Sequence, residues 1–142
     1  MISLRHAALL VLTLALAGCG KNPKATDVRL WSDNYTFRVT VDPMPPRAME
    51  QTPYRIVVLD KKSGQPIETG EGRIFATSKD GANTNDGFKK EKELGTYSGR
   101  LFFATTGDWA MAIQFRREKN ERMPLERVDW IQGVRPESEP GS

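Results

Sequence analysis

The single cysteine, Cys19, and the single histidine, His6, both lie within the first twenty positions of the chain. Arg5 and His6 precede a short apolar run over residues 7–17, which only Thr13 interrupts. A membrane-spanning helix needs about 20 apolar residues, so this run is instead typical of a secretory signal peptide. The sequence therefore predicts a signal peptide over residues 1–18, whose removal leaves the thiol of Cys19 at the new amino terminus.

The residues at the end of this run, Leu16-Ala17-Gly18-Cys19, resemble the lipobox of bacterial lipoproteins. The resemblance implies that the chain is cut before Cys19 and that the sulfur of this residue carries a diacylglycerol, which anchors the protein to a lipid bilayer. An ordinary secretory signal peptide that ends near a cysteine is the alternative. In Gram-negative lipoproteins an aspartate after the lipidated cysteine commonly retains the protein at the inner membrane. Because Gly20 stands there, we expect the periplasmic face of the outer membrane in such a host.

Removal of the signal peptide leaves 124 of the 142 residues, a suitable length for one domain. Residues 19–27 are polar and predict a short tether between the lipid and the fold. Arg5 leaves with the signal peptide, so 20 basic residues face 18 acidic ones, and a net charge of about +2 is no signature of nucleic-acid binding. Since the lipid occupies the only cysteine, an intrachain disulfide is excluded.

The loss of His6 removes the imidazole that serine, cysteine and zinc hydrolases ordinarily use as a base or a ligand. Paired carboxylates or a lysine base would still allow an enzyme without histidine. However, no pair of Asp or Glu residues stands out from the charged residues that make up 27% of the chain. We therefore expect a protein that is not an enzyme and has no cofactor.

Alternating apolar and polar residues predict strands through most of the chain. Tyr35, Phe37, Val39 and Val41 alternate with polar residues, and prolines at positions 43, 45 and 46 end this strand. Further strands are predicted over residues 54–59, 67–77, 97–104, 109–115 and 125–134. Residues 78–95 are polar and predict a long loop that could contain a short irregular strand. The chain is thus predicted to be all-β, with a single immunoglobulin-like β-sandwich over residues 28–134 and a disordered tail over residues 135–142.

Three short patterns carry a resemblance to a known family. Gly95-Thr96-Tyr97 and the segment from Gly107 through Trp109 to Ile113 resemble the G-x-Y and G-x-W ending of FixH/YtkA-like domains, which are small immunoglobulin-like sandwiches. The turn from Asp60 to Pro66 fits the D-x-x-x-G-x-P turn of that family, with one more residue than its shortest form. The resemblance covers roughly residues 45–115. It implies a role in copper delivery to membrane oxidases or in the assembly of such a complex.

Copper binding would depend on methionines here, because no histidine remains after processing. Thioethers are soft ligands that suit Cu(I). Met111 lies on a predicted core face, whereas Met44 and Met49 flank prolines in a loop. Met44 and Met49 are therefore the candidate metal ligands.

Two further patterns have a functional and a structural interpretation. Residues 82–93 have the glycine and glutamate spacing of a calcium loop, with Gly87 at position 6 and Glu93 at position 12, but Ala82 stands where an aspartate is required. A hydrophilic loop is the favoured interpretation. Five aromatic residues are expected to fill the core or cover an edge, although a tryptophan on an edge could also anchor a partner or a glycan. They are Trp31, Tyr35, Phe37, Trp109 and Trp130.

The sequence as a whole predicts a membrane-anchored, non-catalytic binding module. Its expected partners are the lipid bilayer, through Cys19, and another envelope protein, with no nucleic acid. A module of this kind could assist the assembly of an envelope or respiratory complex. The alternatives are a periplasmic Cu(I)-handling protein and a structural envelope lipoprotein without a dedicated ligand.

Overall fold

The computed structural model describes residues 27–138, which form nine β-strands. The predicted signal peptide, Cys19 and all of the predicted tether except Asp27 lie outside the described residues, as do residues 139–142 of the predicted tail. The strands are β1 (Asp27–Trp31), β2 (Tyr35–Val41), β3 (Gln51–Asp60), β4 (Glu71–Ser78), β5 (Asn83–Gly87), β6 (Lys89–Lys90), β7 (Thr96–Phe102), β8 (Gly107–Arg116) and β9 (Glu126–Val134).

The strands build two antiparallel sheets that pack face to face. The first sheet has the order β1-β2-β3-β7-β6, and the second has the order β5-β4-β8-β9. The chain passes from the first sheet to the second after β3, returns after β5 and passes over again after β7. The predicted all-β sandwich is thereby confirmed.

No helix within residues 27–138 is long and apolar enough to cross a bilayer.

The core lies between the inner faces of the two sheets, and the alternation in the sequence selects its residues. On β2, Tyr35 and Phe37 point inward, and on β8, Trp109 and Phe115 do so. The Tyr35 and Phe115 rings meet edge to face with centroids 5.0 Å apart, an arrangement that aromatic quadrupoles favour. Because side chains in strands alternate with a period of two, shifting either strand by one residue would expose these rings.

The predicted long loop over residues 78–95 is wrong in part, because it contains β5 and β6. The residues of β5, Asn-Thr-Asn-Asp-Gly, are polar and have low strand propensity. Their side chains instead complete the hydrogen bonding of β7, since Asp86 Oδ2 accepts from Arg100 N at 2.9 Å and Thr84 Oγ1 accepts from Phe102 N at 3.1 Å. Polar residues are therefore required here by the neighbouring sheet.

The folded part extends slightly beyond the predicted boundaries at both ends. β1 begins at Asp27, the last residue of the predicted tether, and the sequence analysis had predicted no separate strand there. At the other end, Arg135 N donates to Pro46 O and Arg135 O accepts from Ala48 N, so Arg135 belongs to the fold and not to a free tail. The predicted strand over residues 67–77 starts later, at Glu71, because residues 67–70 form the crossover between the sheets.

The Gly-x-Tyr pattern holds this crossover in place. The Tyr97 hydroxyl donates to Ile67 O at 2.7 Å and accepts from Gly70 N at 3.0 Å, which ties two backbone groups of the crossover to β7. Gly95 has a φ of +62°, and a Cβ at this position would lie 2.7 Å from the Cβ of Pro66. Only glycine tolerates both the backbone conformation and the contact.

The Gly-x-Trp pattern has a similar structural basis. Gly107 begins β8 with a φ of +103°, a conformation that favours glycine. Trp109 is buried in the core, and its indole nitrogen donates to Thr105 O at 3.0 Å. Burial of a large aromatic ring with its polar atom satisfied stabilises the β7–β8 connection.

The Asp60 turn joins three parts of the fold. Asp60 Oδ1 accepts from the backbone N–H groups of Lys62 and Ser63, and Asp60 Oδ2 accepts from the Arg117 guanidinium at 2.5 Å. The same guanidinium lies 5.4 Å from the centroid of the Tyr35 ring. Because Arg117 and the Ser63 N–H donate to it, the pKa of Asp60 is held far below its usual value.

We expect Tyr97→Phe to destabilise the domain by about 1–3 kcal/mol, because Ile67 O, which is buried, and Gly70 N, which is half-buried, lose their hydrogen-bond partner. Tyr54→Phe is the matched control: the Tyr54 hydroxyl is buried and has no hydrogen-bond partner within residues 27–138, so its removal should be neutral or stabilising. Urea unfolding of the two variants measures the difference. Equal losses of stability in both variants would show that the Tyr97 hydroxyl has no special role in the crossover.

The Asp60 turn predicts a pH dependence of stability. An unfolded aspartate has a pKa of about 3.9, and the pKa of Asp60 in the folded protein is lower. The Asp60 carboxylate therefore stabilises the fold fully above the unfolded pKa, and this stabilisation is lost as the pH falls through the folded pKa. We therefore expect Asp60→Asn to lower the urea midpoint at neutral pH, and the gap from wild type to narrow below about pH 4. The exposed residue Asp80 provides the control substitution, Asp80→Asn, which should leave the midpoint unchanged. A gap for Asp60→Asn that stays constant as the solution is acidified would contradict the proposed ion pair.

Candidate functional site

The two methionines proposed as metal ligands are exposed at the surface, and the sulfur of Met44 accepts a hydrogen bond from another side chain. Met44 is 40% exposed, and its sulfur lies 3.8 Å from the Gln132 side-chain nitrogen, which donates to it. Met49 is 54% exposed, and its backbone N–H donates to Phe103 O. Within residues 27–138, no group of three or more His, Cys, Asp or Glu side chains is arranged to hold a metal ion. Met111 lies in the core, as its position in β8 predicts.

The acidic residues of the segment with calcium-loop spacing bond to other parts of the protein. Asp86 accepts from the backbone of β7, and Glu93 Oε1 accepts from the Arg55 guanidinium at 3.3 Å. Both carboxylates are thus directed to different protein groups, and residues 82–93 include β5 and β6. The calcium spacing therefore has a structural explanation.

Four of the five aromatic residues support the core interpretation. Tyr35, Phe37 and Trp109 are buried, and Trp130 is half-buried against the core. Trp31 is the exception, because 61% of its surface is exposed at the end of β1. An exposed tryptophan on a strand is a candidate anchor for a partner.

Trp31 borders a shallow groove of about 310 Å³ on the outer face of the first sheet, which we call the Trp31 groove. The strand register places Trp31 beside Thr36, and Thr36 beside Leu59. One step along the strands, Arg29, Arg38 and Val57 form a parallel row. The groove therefore has an apolar floor with one aromatic ring and two guanidinium groups around it.

The groove carries a net positive charge. Asp27 Oδ2 accepts from Arg38 Nε at 2.5 Å and lies 3.7 Å from Arg29 Nε, so one carboxylate faces two guanidinium groups. The hydrogen bond from Arg38 lowers the pKa of Asp27. About one positive charge is left over, and more than half of each arginine side chain is exposed. An anionic group beside an apolar one would complement this surface.

The turn between β1 and β2 is fixed by the neighbouring strands, which gives Trp31 a defined position. Asn34 donates through its backbone and side chain to the Glu126 carboxylate, at 2.8 and 3.0 Å. Lys61 Nζ donates to Ser32 O at 3.0 Å, and Lys61 N donates to Asn34 O. Burial acts to raise the pKa of Glu126, but the hydrogen bonds from Asn34 and its neighbours outweigh burial and lower it. The surface is thus preorganised, which reduces the entropy lost on binding.

Trp31 also borders a second hollow, of about 670 Å³, at the end of the sandwich. Its other wall includes Leu125 and Arg127 at the start of β9. The indole is therefore accessible from two sides, and the second hollow combines apolar and basic groups with the acidic residues Asp33 and Glu126.

The sequence itself contains a signal that Trp31 faces outward. In the segment Asp27-Val28-Arg29-Leu30-Trp31, Val28 and Leu30 alternate with Arg29 and Trp31, and this alternation predicts a strand with the tryptophan facing outward. The residue type of Trp31, which is aromatic like the four core residues, does not reveal this direction.

Comparison with known proteins identifies the fold and nothing finer. No protein-family model matches the chain, and no curated protein matches it significantly in sequence. Among solved structures, a DUF4426 family protein from Pseudomonas aeruginosa PAO1 is similar, with a TM-score of 0.58, 11% sequence identity, and coverage of 82% of this chain and 100% of that chain. The Lin-41 filamin domain is similar with a TM-score of 0.50, 16% identity, and coverage of 70% of this chain and 91% of that chain. The chain is therefore an immunoglobulin-like β-sandwich.

Proposed function

We propose that this protein is a lipid-anchored, non-catalytic β-sandwich that binds another envelope protein through the Trp31 groove. The observation that carries this proposal is Trp31 itself: a largely exposed indole on a fixed turn, beside two arginines and an apolar floor. Tryptophan and arginine dominate the residues that carry binding energy in protein interfaces. The single-domain β-sandwich fold is compatible with such a role.

The chemistry of the groove defines the class of partner segment. An acidic side chain would pair with the Arg29 guanidinium, whose Nε lies 3.7 Å from the already bonded Asp27 carboxylate. An apolar side chain next to it would cover Val57 and Leu59 and pack on the indole. We therefore propose a partner segment that combines an acidic and an apolar residue.

The lipid anchor would keep this groove near the membrane. Eight residues, 19–26, separate the predicted lipid site at Cys19 from the start of β1 at Asp27, and a chain of eight residues reaches no more than about 29 Å. The partner segment would then belong to the membrane-proximal part of an envelope protein. This position supports a role in the assembly of an envelope or respiratory complex.

The lipid anchor is tested by Cys19→Ser, which removes the sulfur that accepts the diacylglycerol. We expect wild type, but not this variant, to incorporate labelled fatty acid, and the wild-type protein to fractionate with the outer membrane of a Gram-negative host. Gly20→Asp should then shift the protein to the inner membrane. Incorporation of labelled fatty acid by the Cys19→Ser variant would show that the lipobox interpretation is wrong. Recovery of the wild-type protein with the inner membrane would contradict the prediction of the outer membrane.

The Trp31 groove is tested by a photoreactive amino acid at Thr36, whose backbone pairs with Trp31. In native membranes we expect a defined protein adduct whose crosslinked peptide contains an acidic residue. Trp31→Ala should weaken binding by about 30-fold, the effect of ~2 kcal/mol at a central interface residue. Because the indole is exposed, the same substitution should change stability by no more than about 0.5 kcal/mol.

The matched control places the photoreactive group at Thr77, an exposed strand residue of the second sheet. This position should give no adduct of the same mass. Adducts from Thr36 to lipid alone, or a protein adduct that survives both Trp31→Ala and Arg29→Glu, would contradict binding of an envelope protein at this groove.

A further inference from the structure

The outer edge of β9 is the longest open strand edge in the described part of the chain. β9 has nine residues and pairs with β8 on one side only. Arg135 directs its N–H and C=O toward the segment around Arg47. Since backbone groups alternate along a strand, residues 127, 129, 131 and 133 direct their N–H and C=O to the same open side.

This edge lacks the proline and lysine residues that often prevent pairing between strands, although it carries the charged residues Arg127 and Asp129. β9 contains neither proline nor lysine, and Ile131 is 66% exposed on its outer face. The other edges are shorter or covered: β6 has two residues, β1 has five, and the side chains of β5 bond to β7. A long open edge with an exposed isoleucine is a template for another strand.

The residue pattern along the edge is complementary to itself. If a second β9 pairs in antiparallel orientation with Val128 at the two-fold axis, Arg127 lies opposite Asp129 of the second copy, and this pair occurs twice. In the same register Leu125 lies opposite Ile131 of the second copy. Leu125 borders a hollow on the outer face of the second sheet, and Ile131 is exposed on that face, so both pairs would meet on the same side.

Neighbouring registers lack this complementarity. If the two-fold axis moves to residue 129, Asp129 lies opposite Asp129 of the second copy. If it moves to residue 127, Arg127 lies opposite Arg127 of the second copy. Like charges directly opposite each other are destabilising. The register centred on Val128 pairs residues 125–131 of the two copies. It therefore ends before residue 134, beyond which the segment 46–48 occupies the edge.

We propose that two copies of this chain associate through their β9 edges in this register, so that their four-stranded sheets join into one sheet of eight strands. The contact is isologous, with each Arg127 beside the Asp129 of the other copy. In the single chain these two side chains contact each other, with Arg127 Nε 3.0 Å from Asp129 Oδ1, so pairing would form a cluster of four alternating charges. This association does not require the lipid, and its residues Leu125 and Arg127 line the second hollow beside Trp31 and not the Trp31 groove itself.

The test uses full-length chains that carry two different affinity tags, co-expressed in one cell and solubilised in detergent. We expect wild-type copies to co-purify. When both copies carry Asp129→Arg, their co-purification should fall by about tenfold or more, the effect of ~1.4 kcal/mol. In that case Arg127 of each copy would lie opposite an arginine of the other copy. Arg127→Asp should do the same, but one chain with Arg127→Asp and one with Asp129→Arg should co-purify, since their charges are complementary.

The double variant with both substitutions identifies the register. In the proposed register it should pair with itself and not with wild type, because every mixed pair would then join like charges. A register with Asp129 opposite Asp129 would give the reverse result. Arg100→Asp, at an exposed position in the first sheet, serves as the control and should leave co-purification unchanged.

Failure of the two single variants to co-purify with each other, or pairing of the double variant with wild type, would overturn the proposal. Matching thermal unfolding midpoints of all variants would show that the exposed substitutions leave the fold intact. Loss of lipid labelling in Cys19→Ser with retained β9 pairing would show that the anchor and the association are separate properties.

Discussion

Two open sheets have four edge strands, and the backbone N–H and C=O groups of each edge must be paired, covered or left to solvent. In this protein the two sides of the sandwich solve the problem differently. On one side, Thr84 and Asp86 of β5 accept hydrogen bonds from β7, which connects the two sheets. On the other side, β1 and β9 lie at the edges of their sheets, and Trp31, Leu125 and Ile131 are exposed there. The proposed binding groove and the proposed pairing edge both belong to this less covered side.

The Gly-x-Tyr, Gly-x-Trp and Asp60 patterns that carry the FixH/YtkA resemblance all have structural roles. Tyr97 ties down the crossover between the sheets, Trp109 fills the core, and Asp60 joins its turn to Arg117. Residues of this kind specify a fold, whereas function resides in the surface built on it. This explains why the resemblance to immunoglobulin-like sandwiches is supported by solved structures, while a copper-related role has no support from the same residues.

The Trp31 groove and the β9 edge differ in what they require of a ligand. The groove offers a fixed indole, an apolar floor and an excess of positive charge, which suit side chains of a partner. The edge offers backbone hydrogen bonds, with specificity set by the alternation of Arg127 and Asp129. The two surfaces would allow one molecule to associate with its own copies through the edge and to bind a different protein through the groove.

The sequence by itself determined the class of fold and most of the core. Alternation in β2 and β8 fixed which side chains face inward, because a strand has a period of two and its apolar face must be buried. The same kind of alternation in residues 27–31 would also have placed Trp31 on the surface. The predicted anchor at Cys19 likewise depends on sequence alone, since it lies outside the described residues.

Only the tertiary structure decided the role of the polar segment 83–87 and the composition of the groove. The segment has poor strand propensity, and it is a strand because its backbone pairs with β4 and its side chains bond to β7. Local sequence patterns cannot show the contact with β7. In the same way, Val57 and Leu59 reach the Trp31 groove only through the register of three strands. Pairing across distant parts of the chain depends on the global fold, so no local pattern could show that these residues share one surface.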